Sequence, residues 1–120
     1  MASDDFAERL NGVRMRFAAK LPARLEDIDN SLPQLKGDGG GVAAAVYDIH
    51  RKVHDLCGIG PTLGFDATGR AARACERVLL KPSRDQRGLT EQEMAHLKEG
   101  LVALRAAVQS EIQSTGAVPE

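Results

Sequence analysis

Apolar positions in this chain recur every three or four residues over four long stretches. That spacing is the mark of helices that bury one stripe. Between about Asp4 and Leu35 the stripe is Phe6, Leu10, Val13, Phe17, Leu21, Leu25, Ile28, Leu32 and Leu35. Pro22 interrupts it, yet the period carries through the proline, so the spacing predicts a kinked helix or two in-line helices. Pro33 marks fraying near the end, and the glycine-rich run 36–41 is a breaker loop.

The second stretch, about Gly41 to Ile59, carries Val42, Val46, Ile49, Val53 and Leu56. Gly58-Ile59-Gly60-Pro61 is expected to stop that helix. The third is expected to start at Asp66 as N-cap and to reach about Leu80. Ala71 or Ala72, Cys75, Val78 and Leu79 would face inward, and Lys81 to Gly88 reads as a polar loop. The fourth opens with Thr90-Glu91-Gln92-Glu93, a capping-box match. Its stripe is Met94, Leu97, Leu101, Leu104, Val108 and Ile112. Four amphipathic helices joined by short connectors each have a face to bury. The economical solution is an all-α, up-down-up-down four-helix bundle over residues 1–114, with a loose tail at 115–120.

Composition narrows the classes. A length of 120 residues suits one core. The net charge of -1 and 3% aromatic content argue against nucleic-acid binding, which uses a basic excess and stacking rings. No apolar run approaches the roughly 18 residues of a membrane span. The acidic start Met1-Ala2-Ser3-Asp4-Asp5 is unlike a secretory signal. A cytoplasmic location is therefore expected, with Cys57 and Cys75 as free thiols.

The second stretch carries more than its stripe. His50, His54, Cys57 and Gly58 form a row beside it, so they share one face at the expected bundle surface. A glycine inside a helix costs about 1 kcal/mol relative to alanine, a cost that makes sense where something approaches the backbone. Two histidines one turn apart with a cysteine also offer three Zn²⁺ ligands, although no second cluster supplies a fourth.

The run His54-Asp55-Leu56-Cys57-Gly58-Ile59-Gly60-Pro61-Thr62-Leu63-Gly64-Phe65 resembles the signature of histidine phosphotransfer (HPt) domains. That signature has an apolar residue two after the histidine, usually a lysine three after, and glycines four and ten after. Leu56, Gly58 and Gly64 fall on three of those places. The run is especially similar to the HPt domains of chemotaxis histidine kinases, which also place an aromatic after the second glycine. Leu21-Pro22-Ala23-Arg24-Leu25 is similar to a stretch of the family's first helix. The likeness covers roughly residues 6 to 112 and is most specific over 54–65.

The resemblance implies a four-helix bundle with His54 as phosphoacceptor. It implies that Glu76, 22 residues on, orients the His54 ring. Arg73, three residues earlier and so one turn away on the same helix, is the expected cation to offset phosphoryl charge. It places Gly58, Gly64, Cys57, His50 and Arg51 where partners dock. Those partners would be a response-regulator receiver domain, a histidine kinase, or both. No cofactor is expected on this chain, and Mg²⁺ would belong to the receiver. No GxxxxGK[ST] run is present, so the expected role is a carrier and not a kinase by itself. Cys57 departs from the pattern by standing where the family has lysine. Arg51, Lys52 and Arg73 are the candidate cations to stand in for it. The departure keeps a second reading open, an HPt-fold interaction module that binds receiver or kinase domains without phosphotransfer.

Overall fold

The computed structural model describes residues 2–115. It is helical: α1 (Ala2–Ser31), a 3-10 turn (Leu32–Leu35), α2 (Val42–Thr62), α3 (Asp66–Arg84) and α4 (Glu91–Thr115). The four long helices pack against one another, α2 on α3 and α3 on α4 most extensively. The expected loose tail lies at 116–120, outside the described residues, while Thr115 still belongs to α4.

Two of the expected breaks come later than the sequence predicts. Pro61 and Pro82 both sit inside helices, so α2 runs on to Thr62 and α3 to Arg84. Pro61 and Pro82 lie in a last turn, where one missing N–H disrupts little of the ladder. α1 is a single helix through Pro22. Asp66 is not the N-cap of α3. Phe65 holds that position with no side-chain cap. The orphan amides are met from another helix instead: Glu111 of α4 accepts from Thr68 N–H at 2.7 Å and from Ala67 N–H at 3.3 Å. The capping box at Thr90 forms as expected. Glu93 N–H donates to Thr90 Oγ1 at 3.1 Å, and Thr90 N–H donates to Glu93 Oε1 at 2.8 Å.

The core follows the stripes. Phe17, Leu21, Leu25 and Ile28 of α1 are buried with Val46, Ile49, Val53 and Leu56 of α2. Ala72, Cys75 and Leu79 of α3 and the whole α4 stripe complete it. The first turns of α1 are the exception, for Phe6, Leu10 and Val13 are 65%, 41% and 42% exposed. A 30-residue helix is about 45 Å long, and the molecule is drawn out to 57 Å by 23 Å by 22 Å. The stripe on α1 is thus longer than the core that receives it.

Both ends of the molecule are tied. At one, Leu89 N–H donates to Leu35 O at 2.8 Å, and Gly88 lies against Gly37 O. At the other, the Phe17 and Phe65 rings meet at 5.3 Å. Between these ends, α2 and α3 run side by side and present the histidine row.

Candidate functional site

The α2 stripe turns Ile49, Val53 and Leu56 inward, and this sets the next row of the helix against α3. The His54 side chain is 67% exposed. Its Nδ1 makes a short hydrogen bond with Oε2 of Glu76, which is 22% exposed. An ionised carboxylate only accepts, so in a neutral ring this pairing puts the proton on Nδ1 and leaves the lone pair on Nε2. No described protein group bonds to that Nε2. The pairing joins α2 to α3 across the 22 residues at which the resemblance placed it.

His50 lies one turn back, with its ring centroid 6.3 Å from that of His54. It is 18% exposed, and its Nε2 stands 3.6 Å from the same Glu76 oxygen. That is ion-pair range and too long for a hydrogen bond. The Nε2 atom is buried and has no hydrogen-bond partner. One carboxylate oxygen thus faces two imidazoles.

Cys57 is a correction to the expected surface row. It is 7% exposed and belongs to the core cluster, so it does not present itself to a docking partner. Burial first, and then the negative charge of Glu76, push its thiol up to about 11, with Arg73 pulling the other way. The thiol keeps its proton near neutral pH and is no cation in place of the lysine. Cys75 is deeper, its thiol pushed up to about 12 by burial and then by Cys57.

The candidate cations separate. Lys52 is committed, reaching Asp27 of α1 at 2.5 Å and Asp48 at 2.9 Å. Arg51 and Arg73 are exposed, and no described carboxylate lies within ion-pair distance of either. Arg73 is close enough to act electrostatically on Cys57, which sits beside Glu76. The Zn²⁺ alternative loses its third ligand with Cys57 inside. Among the described residues no group of three or more His, Cys, Asp or Glu is placed to hold a metal ion.

The two signature glycines differ. Gly64 has φ +89° and makes the turn between α2 and α3, a conformation that costs other residues energy. Gly58 is exposed, and a Cβ built on it would meet nothing within 4 Å. Nothing inside the chain explains why it is glycine. Its effect is to leave the surface low one turn from His54.

The sequence reading missed two residues, Gly69 and Glu111, and one contact, that of His50 with Glu76. Gly69 lets α3 close on α2, because a Cβ there would lie 2.5 Å from Pro61 Cγ. Glu111 caps α3 from α4. His50 shares Glu76, although its i, i-4 spacing from His54 was a readable signal. No family model matches the chain, and no curated protein or solved structure matches it either. Any functional reading therefore rests on the residues themselves.

Proposed function

We propose that this protein is a histidine phosphotransfer carrier of a two-component phosphorelay, with the four helices in up-down-up-down order. The order is supported by the tied ends. The connectors after α1 and after α3 meet through Leu35 and Leu89, and the α2–α3 turn meets both α1, through Phe17, and the far end of α4, through Glu111. The observation that carries the function is the exposed His54 ring held through Nδ1 by Glu76.

Its chemistry is nucleophilic. The Nε2 lone pair attacks phosphorus of a receiver phosphoaspartate, or of ATP held by a kinase. The N–P bond forms as the P–O bond breaks, and the aspartate carboxylate or ADP leaves with the electron pair. The ring becomes cationic as it is phosphorylated, and its Nδ1 proton stays on the hydrogen bond to Glu76, whose charge offsets it. Much of the rate comes from presenting the nucleophile on a rigid helix. Arg73, one turn from Glu76 on α3 and in no ion pair among the described residues, is available to the incoming phosphoryl group, which brings a charge of about -1.5 to -2 by analogy with other phosphorylated side chains. Gly58 leaves room for the partner's acidic pocket, and Arg51 flanks the same surface. Mg²⁺ belongs to the receiver. No described helix is long and apolar enough to cross a membrane, which fits a carrier that meets its partners in solution, and we place it in the cytoplasm.

The buried thiol of Cys57, where the family has a cation, favours a second reading: an interaction module of the same fold that binds receivers or kinases without transfer. Incubation with phosphorylated receiver domains distinguishes the two. The carrier acquires acid-labile, base-stable label, and His54→Ala abolishes it. Equal labelling of wild type and His54→Ala would remove His54 from the mechanism. Stable receiver binding with no label on either protein would leave the interaction module.

A further inference from the structure

The Glu76 oxygen that holds His54 has a second claimant. The buried His50 Nε2 is 3.6 Å from it and has no other partner. A buried ring N–H without an acceptor costs free energy, and the Glu76 oxygen is the carboxylate it faces. From these positions we infer that His50 is a positioning residue for the His54–Glu76 pair, and that its protonation sets how firmly Glu76 holds the His54 ring.

The surroundings contain few competitors. On α2 the titratable neighbours of His50 are Tyr47, in the same shallow groove, and His54. From α3 come Glu76 and Arg84, which lines that groove. Arg73 and Glu76 both lie close enough to Cys57 to act on its thiol. No described carboxylate of α1 or α4 pairs with His50. With neutral His50, Glu76 is bound to His54 alone. With protonated His50, the carboxylate is divided between two rings, and a second positive charge on His54 is opposed. Protonated rings with centroids 6.3 Å apart repel each other, so charge on one opposes charge on the other. For the carrier this makes phosphoryl uptake pH-sensitive through a residue that never touches phosphorus. That meaning rests on the proposed role of His54, but the test does not.

The test follows both imidazole rings by ¹⁵N–¹H correlation NMR in the intact, unphosphorylated chain across the histidine titration range. In wild type the His54 shifts follow a two-step curve whose extra step coincides with the titration of His50. In His50→Gln, which keeps a donor but cannot titrate, the curve has one step, displaced upward by a few tenths to about half a pH unit. In Glu76→Gln both midpoints fall, because both imidazolium forms lose their carboxylate. A His54 curve identical in wild type and His50→Gln would overturn the inference. If His50→Gln lost its helical circular dichroism, an unmoved His50 midpoint in Glu76→Gln would overturn it instead. Because no phosphoryl donor is used, failure here leaves the labelling of His54 standing, and failure of labelling leaves the coupling standing.

Discussion

Gly58 and Gly60 are two residues apart on α2, yet they answer to opposite constraints. Gly60 is buried, and a Cβ on it would come within 3.2 Å of Phe65 O and 3.6 Å of Gly69 N. Gly69 in turn faces the Pro61 ring, so at the closed end of the bundle two backbones meet with only that ring between them. Gly58 faces open space. The fold accounts for the first glycine and is indifferent to the second. A residue that lowers helix propensity without helping the packing points to something outside the chain, and Gly58 lies one turn from the exposed His54.

The largest effect is expected where the backbones meet. Gly69→Ala inserts a methyl 2.5 Å from the Pro61 ring, with neither helix free to move far. Overpacking of this kind costs about 2–3 kcal/mol, measured as a lower urea midpoint with little change in slope. A loss below about 0.5 kcal/mol would mean that the α2–α3 junction is loose, and the contrast with Gly58 would dissolve.

A smaller effect sharpens the scale at the other end, which is built by pairing. Arg87 binds Glu93 through two nitrogens at 2.8 Å and 3.1 Å, and these bonds, with the Thr90 amide, hold the Glu93 carboxyl down at about 2. A depressed carboxyl stabilises the fold fully above its unfolded value of 4.5 and loses that contribution as pH falls toward 2. Glu93→Gln is expected to cost about 1–2 kcal/mol at neutral pH and to flatten the fall in stability between those two pH values. Urea melts at several pH values check both, and a parallel pH dependence in the two proteins would refute the assignment.

Most of the fold was legible because a buried stripe leaves its period in the sequence. Leu21 through Ile28, Val46 through Leu56 and Met94 through Ile112 were all read correctly as core. The same rule overreached at Phe6, Leu10 and Val13. Periodicity reports that a helix has an apolar face, and it carries no information about where the neighbouring helices end. The breaks after α2 and α3 were misplaced because Pro61 and Pro82 are carried in the last turns of their helices, where each removes one bond with few residues left to disturb. Of the candidate site, the 22-residue step from His54 to Glu76 was legible from the resemblance. The inward turn of Cys57 was not, because it lies at the border between stripe and row, where a few tens of degrees of helix rotation decide exposure. Glu111 was invisible for a different reason: a cap supplied by another helix leaves no local pattern.

The smallest predicted change in stability has the opposite sign and tests the comparison most directly. Gly58→Ala places a methyl in open space, so nothing in the bundle opposes it. Alanine also restricts the unfolded chain and favours helix, and the expected gain is about 0.5–1 kcal/mol in a urea melt. A protein that gains stability from a single methyl has kept glycine for another reason. If that reason is the approach of a partner to His54, Gly58→Ala slows phosphoryl uptake from a receiver while the unfolding midpoint rises. Destabilisation would show that the bundle does constrain this position. A stabilised protein with unchanged uptake would show that the low surface beside His54 has no part in docking, and would leave the helix penalty at Gly58 unexplained.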